Sequence, residues 1–174
     1  ALTSITIPEG CHIIGDQAFY NAYSLAKVSL PSTLISIGLK AFEETKIYYS
    51  YLASSSTTYS VNKCLLFGGA RYDKEFTSIP SGTVLIAAGA LEYVTKENIS
   101  IPSSVKYIGA QPNLDYHFTA TNGVYYLGDC LIRVTSNAGT TINVKSNTRV
   151  IADYAFADAS QVTSVKLPNT VKYV

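Results

Sequence analysis

The sequence has no tryptophan and no methionine, and only 3 cysteines and 2 histidines among 174 residues. Without methionine the chain has no start residue. It opens on Ala1-Leu2-Thr3, with neither the charged nor the apolar stretch of a secretion signal. It is therefore expected to be a segment of a longer protein, cut at its C-terminus and at its N-terminus. Cys11, Cys64 and Cys130 are an odd, sparse set, which is no disulfide framework, and no C-x-x-C spacing points to a metal. Cys11 stands where other copies of a repeat carry Leu or Val, so a buried, inert thiol is expected there. Charge is also scarce. Only 14% of residues are charged, and 13 Lys plus Arg against 12 Asp plus Glu leave a net charge of +1. That balance gives no basic field for nucleic acid and no polybasic patch for a membrane. The longest apolar run, Val84 to Leu91, is eight residues, far short of the roughly twenty that a spanning helix needs.

What is present is apolar and hydroxylated. Hydrophobic residues make up 47% of the chain, which excludes a disordered polymer. Tyrosine occurs 14 times, and Ser and Thr together number 36, a composition suited to exposed β surface rather than helix.

The dominant feature is a repeat. Leu2-Thr-Ser-Ile-Thr-Ile-Pro8 returns 23 residues later as Leu25-Ala-Lys-Val-Ser-Leu-Pro31, with Ile14-Gly15 and Ala18-Phe19 returning as Ile37-Gly38 and Ala41-Phe42. The pattern recurs around Pro80, around Pro102, from Ile142 to Phe156, and from Val162 to the end. Six copies thus span about 2–24, 25–47, 74–95, 96–114, 139–161 and 162–174. Two longer inserts, about 48–73 and 115–138, separate the copies into three pairs. Within them Asn62-Lys-Cys-Leu-Leu-Phe-Gly68-Gly69 aligns with Asn122-Gly-Val-Tyr-Tyr-Leu-Gly128-Asp129, 60 residues on, and each reads as a hairpin turning at Gly-Gly or Gly-Asp.

A period near 23 implies a solenoid, because one copy is too short to bury its own apolar face. In Leu2-x-x-Ile5-x-Ile7 the alternation predicts a strand with Ile5 and Ile7 inward and Thr6 outward, ended by Pro8. A second inward segment holds Cys11 and Ile14, Leu34 and Ile37, and Val105 and Ile108. Gly15, Gly38 and Gly109 then read as tight-turn residues, and Ala-Phe as a short helical turn. Stacked in register, the outward position forms a ladder of Thr6, Ser29, Ser78, Ser100, Asn143 and Lys166. The column two residues earlier reads Ser4, Lys27, Phe76, Asn98, Thr141 and Ser164. Thr77 replaces an expected Ile, which leaves Phe76 free to face either way.

The string L-x-x-I-x-I-P-x-x-V-x-x-I-G-x-x-A-F resembles the leucine-rich repeats of the BspA-like surface protein family, the treponemal type. Leu2 to Phe19 and Leu25 to Phe42 match almost fully. Departures include Lys145 for Pro, Ala152 and Ala87 for Gly, and Pro112-Asn113 for Ala-Phe. The resemblance implies a β-rich, α/β-type solenoid: a right-handed leucine-rich-repeat superhelix with parallel strands, short helical turns and two inserted β-hairpins. It also implies a secreted or surface-displayed bacterial protein that adheres to host or matrix proteins, alongside other domains of the same longer chain. It supplies no catalytic motif.

The residues themselves offer little chemistry. Cys11 and His12 are strand neighbours and face opposite ways, so they cannot form a nucleophile–base pair. His117, between Tyr116 and Phe118, reads as packing at a hairpin base. Glu43-Glu44, Asp129, Asp153 and Asp158 lack paired-carboxylate spacing. Gly68-Gly69 lacks the residues of a phosphate loop, and Asn98-Ile99-Ser100 is a formal glycosylation triplet. No enzyme, no cofactor and no metal site is expected, and neither nucleic acid nor membrane insertion. Tyrosine is the enrichment that bears on binding, since its ring offers amphipathic contact area at low entropic cost. Tyr49 and Tyr51 lie in the Tyr48–Tyr51 cluster before the first hairpin, and Tyr125-Tyr126 lie within the second. Alternation there is expected to leave one ring of the pair available. The candidate binding surface is therefore Thr6, Ser29, Ser100, Asn143, Lys166, Tyr49, Tyr51, Tyr125 and Tyr126, with a protein or glycan as ligand. A rigid spacer, or a carbohydrate-binding surface built on exposed Tyr, are the alternative readings.

Overall fold

The computed structural model describes residues 1–68, 76, 78–92, 94, 99–112 and 119–174. Gly69, Thr77, Asn98, Asn113 and Tyr116-His117-Phe118 lie outside the described residues. The repeat period becomes a parallel stack. A residue and its counterpart 23 positions on sit side by side, so the N–H groups of one turn meet the C=O groups of the next. Strand β1 (Ser4–Thr6) pairs with β3 (Lys27–Ser29) in the register Ser4↔Lys27, Ile5↔Val28, Thr6↔Ser29, and β2 (Ile13–Ile14) pairs with β4 (Ser36–Ile37). Helix α1 (Lys46–Ala53) follows, then the hairpin β5 (Thr58–Val61) and β6 (Cys64–Gly68). Strands β7 (Leu85–Ile86) and β8 (Tyr107–Ile108) carry the second segment of the third and fourth turns. A second hairpin, β9 (Val124–Leu127) and β10 (Cys130–Val134), precedes β11 (Thr141–Asn143), β12 (Val150–Ile151) and β13 (Ser164–Lys166). Strand β11 pairs with β13 in parallel, as β1 does with β3. In the third and fourth turns the described residues of the expected first strand, Phe76, Ser78–Pro80 and Ile99–Ile101, carry no strand assignment, although Phe76, Ile79, Ile99 and Ile101 are buried.

Stacking runs through the inserts as well as along the pairs. The Ala88 N–H donates to the Ile37 C=O at 2.9 Å, and the Asp153 N–H to the Ile108 C=O at 2.8 Å, so turns two and three, and four and five, meet directly. Inside, Ile14, Ile37, Ile86, Ile108 and Ile151 are buried, flanked by Leu25, Leu34, Leu91 and Val105. Ala41 and Phe42 are buried, and Phe42 stacks on Phe19 with ring centroids 5.2 Å apart. The Ala-Phe segments are not helical. They are chains of four-residue β-turns, such as Ala18 N–H to Gly15 C=O and Tyr20 N–H to Gln17 C=O.

The repeat glycines have a different role from the one expected. Gly38 and Gly109 are not left-handed. The left-handed positions lie two residues after the repeat-glycine position, at Gln17 (φ 56), Lys40 (φ 58), Gly89 (φ 73) and Tyr154 (φ 56). A Cβ on Gly38 would lie 2.4 Å from the Asp16 nitrogen and 2.7 Å from the Gly15 carbonyl carbon, and one on Gly109 would lie 2.5 Å from the Ala88 nitrogen. Glycine is required because the preceding turn's backbone lies against it. Ala87 and Ala152 occupy the position where the N–H instead bonds a hairpin strand, at Leu65 and Leu131.

The inserts also differ from the expectation. The first begins with α1, whose N-cap Thr45 accepts the Tyr48 N–H at 3.1 Å and whose Ile47 and Tyr51 point inward. Its described hairpin turns at Asn62-Lys63 (φ 44 and 63); of the expected Gly68-Gly69 turn, Gly68 lies in β6 and Gly69 outside the described residues. The second hairpin does turn at Gly128-Asp129, with Leu127 opposite Cys130. In the stack, Cys64 pairs with Leu85 and Cys130 with Val150. Cys64-Leu65-Leu66 is thus the structural counterpart of Cys130-Leu131-Ile132, and the spacing between inserts is 66 residues, not 60.

Overpacking at such backbone contacts costs about 1–3 kcal/mol. Gly38→Ala and Gly109→Ala are each expected to lower unfolding free energy by about that amount in denaturant titration. Gly15→Ala, which meets nothing within 4 Å, is expected to leave it unchanged or slightly raised.

Candidate functional site

The ladder forms as two patches. Thr6 and Ser29 are adjacent rungs beside Ser4 and Lys27, and Asn143 and Lys166 are adjacent rungs beside Thr141 and Ser164; all are exposed. Ser78 and Ser100 are exposed but outside any strand, and Phe76 is fully buried, so the row is interrupted at its centre.

The tyrosines divide by the elements that hold them. Tyr51 does not belong to a binding surface. It is 4% exposed, one helical turn after Ile47, stacked on Phe67 at 5.5 Å and donating to the Thr57 C=O at 3.2 Å. Burial pushes its hydroxyl up to about 12. Tyr49, on the outer side of α1, is exposed and donates to the Glu44 carboxylate. That bond is the main reason its pKa is pushed up to about 12, with smaller effects from Tyr23 and Tyr20. Tyr20 and Tyr23 are themselves exposed and extend this aromatic area; the sequence signal was the pair in Phe19-Tyr20-Asn21-Ala22-Tyr23, where Asn21 is left-handed (φ 62).

Tyr125 and Tyr126 both remain half-buried at the surface, between the buried Val124 and Leu127. Alternation sends them to opposite faces, but neither face is the interior alone. Tyr125 packs against the larger apolar cluster, and Tyr126 against a second, smaller one around Leu131, Val134 and Ile142. Each ring lines its own concavity.

Tyr126 lies in a concavity of about 430 Å³ with Asn122, Thr141, Asn143 and Lys145. Lys145 is the residue that replaces the repeat proline. Its backbone N–H, which proline lacks, donates to the Tyr126 hydroxyl at 3.2 Å, and its ammonium stands 4.1 Å from the ring centroid. The ring is held at both ends, and Asn143 of the same concavity neighbours Lys166 on β13. Four sequence-derived elements thus meet: the hairpin ring, the Asn143 rung, its Lys166 neighbour and the departure at Lys145. Tyr125 lies in a separate concavity of about 750 Å³ with Arg133 and Asp158.

The thiols lie in or against the larger apolar cluster. Cys64 and Cys130 are buried, and burial pushes their pKa from an ordinary 9.0 to about 11 and about 12, the latter also under the influence of Arg149 and Asp129. Cys11 is half-buried rather than buried, packed against the larger apolar cluster. His12 is exposed, with Nδ1 3.0 Å from the Thr33 carbonyl oxygen. Among the described residues no three His, Cys, Asp or Glu side chains gather as a metal site, and no helix is long and apolar enough to cross a membrane.

The family model for the BspA type leucine rich repeat region matches in six copies, over residues 1–112 and 86–174. No curated protein matches significantly. Two solved structures are similar over 98% of the chain. One is a leucine-rich repeat protein from Eubacterium ventriosum, 21% identical, with a TM-score of 0.35 and 49% of that chain covered. The other is the pneumococcal vaccine antigen PcpA, 17% identical, with a TM-score of 0.28 and 40% of that chain covered. The present chain therefore spans half or less of either.

Both buried thiols hold their protons more tightly folded than unfolded, so the fold binds more protons above pH 9 and loses stability as pH rises. Unfolding free energy is expected to fall between pH 9 and about pH 12, with Cys64→Ala and Cys130→Ala flattening that decline. Under native conditions a thiol reagent is expected to modify Cys11 alone, with Cys64 and Cys130 reacting only after unfolding, as read by intact mass.

Proposed function

The chain belongs to the BspA type leucine-rich repeat family, and on that premise we propose that it is a non-catalytic recognition module of a secreted or surface-displayed protein, which adheres to another protein. The observation that carries this reading is the Tyr126 concavity. A ring fixed by Lys145 through its hydroxyl and over its face is a rigid amphipathic anchor of the kind that dominates protein interfaces. The Asn143–Lys166 rungs beside it supply adaptable polar contacts. The extracellular placement rests on the resemblance of the repeats to secreted and surface-displayed proteins. A solenoid offers such a face on a stiff support, since each turn is bonded to its neighbours.

Saturable binding of the folded chain to immobilised extracellular-matrix proteins is expected, with Tyr126→Ala and Lys166→Glu each weakening it about tenfold. Lys145→Pro restores the repeat consensus and gives a sharper test. The lost hydrogen bond and cation–π contact are each worth about 1 kcal/mol, while a compatible proline returns about 0.4–1 kcal/mol. Stability is expected to fall by only about 1–1.6 kcal/mol, while binding falls with that of Tyr126→Ala. Surface plasmon resonance checks this. A rigid spacer predicts that all three variants behave as the parent, and that outcome, or no saturable binding, would overturn the proposal.

A further inference from the structure

The concavity on the Tyr125 side is chemically unlike the one on the Tyr126 side. The charged residues among those lining it are Arg133 and Asp158, and they neutralise each other. Arg133 donates through Nε at 3.0 Å and Nη2 at 2.7 Å, both to Asp158 Oδ2, and through Nη1 to the Pro112 C=O at 3.0 Å. This fork fixes the carboxylate and leaves Oδ1 as an acceptor with no hydrogen-bond partner among the described residues. Ser136, Asn137 and Ser160 line the same groove, are exposed, and make no side-chain hydrogen bond with any described residue. Tyr125, half-buried against the apolar cluster, contributes the aromatic wall.

Among the described residues the groove therefore offers one aromatic surface, one anchored carboxylate oxygen, one amide and the two uncommitted hydroxyls of Ser136 and Ser160, and its charged pair carries no net charge. A lipid or an apolar peptide would leave those polar groups unpaired, which is costly on desolvation. Among the described residues an anion finds no uncommitted cation there, and a cation finds a carboxylate already neutralised. A neutral, hydroxyl-rich ring satisfies every group: its C–H face packs on the tyrosine, and its hydroxyls donate to Asp158 and Asn137 and accept from Asn137 and the serines. We infer that this groove is a binding site for a neutral carbohydrate. It is independent of the protein-binding face at Tyr126, so either can stand without the other.

The test uses the full 174-residue chain on an array of neutral hexose and N-acetylhexosamine oligosaccharides, with sialylated and sulfated oligosaccharides as charged comparators. Saturable binding to at least one neutral oligosaccharide is expected, insensitive to salt. It should weaken roughly tenfold or more on Tyr125→Ala and on Asp158→Asn, and stay unchanged on Tyr126→Ala. Because Tyr125 also packs against the core, Asn137→Ala serves as the variant that leaves the fold intact. It is expected to keep the parental melting temperature and lose binding several-fold. Absence of any saturable neutral binder, selective binding of the charged comparators, or undiminished binding by Asn137→Ala and Asp158→Asn would overturn the inference.

Discussion

The whole molecule depends on the backbone of one turn lying against the backbone of the next. The Gly38 N–H reaches the Ile14 C=O at 2.8 Å, and the Gly109 N–H reaches the Ile86 C=O at the same distance. At that approach a side-chain carbon has no room, which is why glycine recurs at this point of the repeat. The isoleucine column follows from the same constraint. Turns that share backbone hydrogen bonds must bring Ile14, Ile37, Ile86 and Ile108 into contact, and burial then supplies the apolar stabilisation that a single 23-residue unit lacks.

Functional character arises where the chain departs from the repeat. Proline closes the first segment of five copies, and the one copy with lysine there uses the freed N–H and the ammonium to fix Tyr126. The inserted hairpins place β6 and β10 alongside the stack without breaking it. The second hairpin thereby displays Tyr125 and Tyr126 over two different concavities, one flanked by lysine and the other by a neutral Arg–Asp pair.

Much of this was legible in the residues. The 23-residue spacing assigned Ile14, Ile37 and Ile108 to one buried column and Thr6, Ser29, Asn143 and Lys166 to the outside, because period and alternation are set by backbone geometry. Other features leave weaker traces. Helix α1 buries only Ile47 and Tyr51 among its residues, a single i,i+4 pair that shows no period, and so Tyr51 read as exposed. The alignment of the inserts followed Asn62-Lys63 and Asn122-Gly123, which do share left-handed turns. Turn conformation does not decide which strand joins the stack, and the true counterparts follow unlike turns, Asn-Lys and Gly-Asp. The glycines read as turn residues because glycine serves both left-handed backbone and close approach, and only the neighbouring turn distinguishes them. Arg133, Asp158 and Lys145 meet their partners across 25 and 19 residues, beyond the reach of a local motif.

Native-state hydrogen exchange tests the stacked-backbone account most directly, because it reads the inter-turn bonds one amide at a time. The amides of Gly38, Ala88, Gly109 and Asp153 are expected to exchange only through the slowest, shared opening. Protection should be lower in the two-stranded pairs β1–β3 and β11–β13, in which each strand has a ladder partner on one side only among the described residues. Fast exchange at Gly38 and Gly109, comparable to that of exposed loop amides, would contradict a fold held together by turn-to-turn backbone contact.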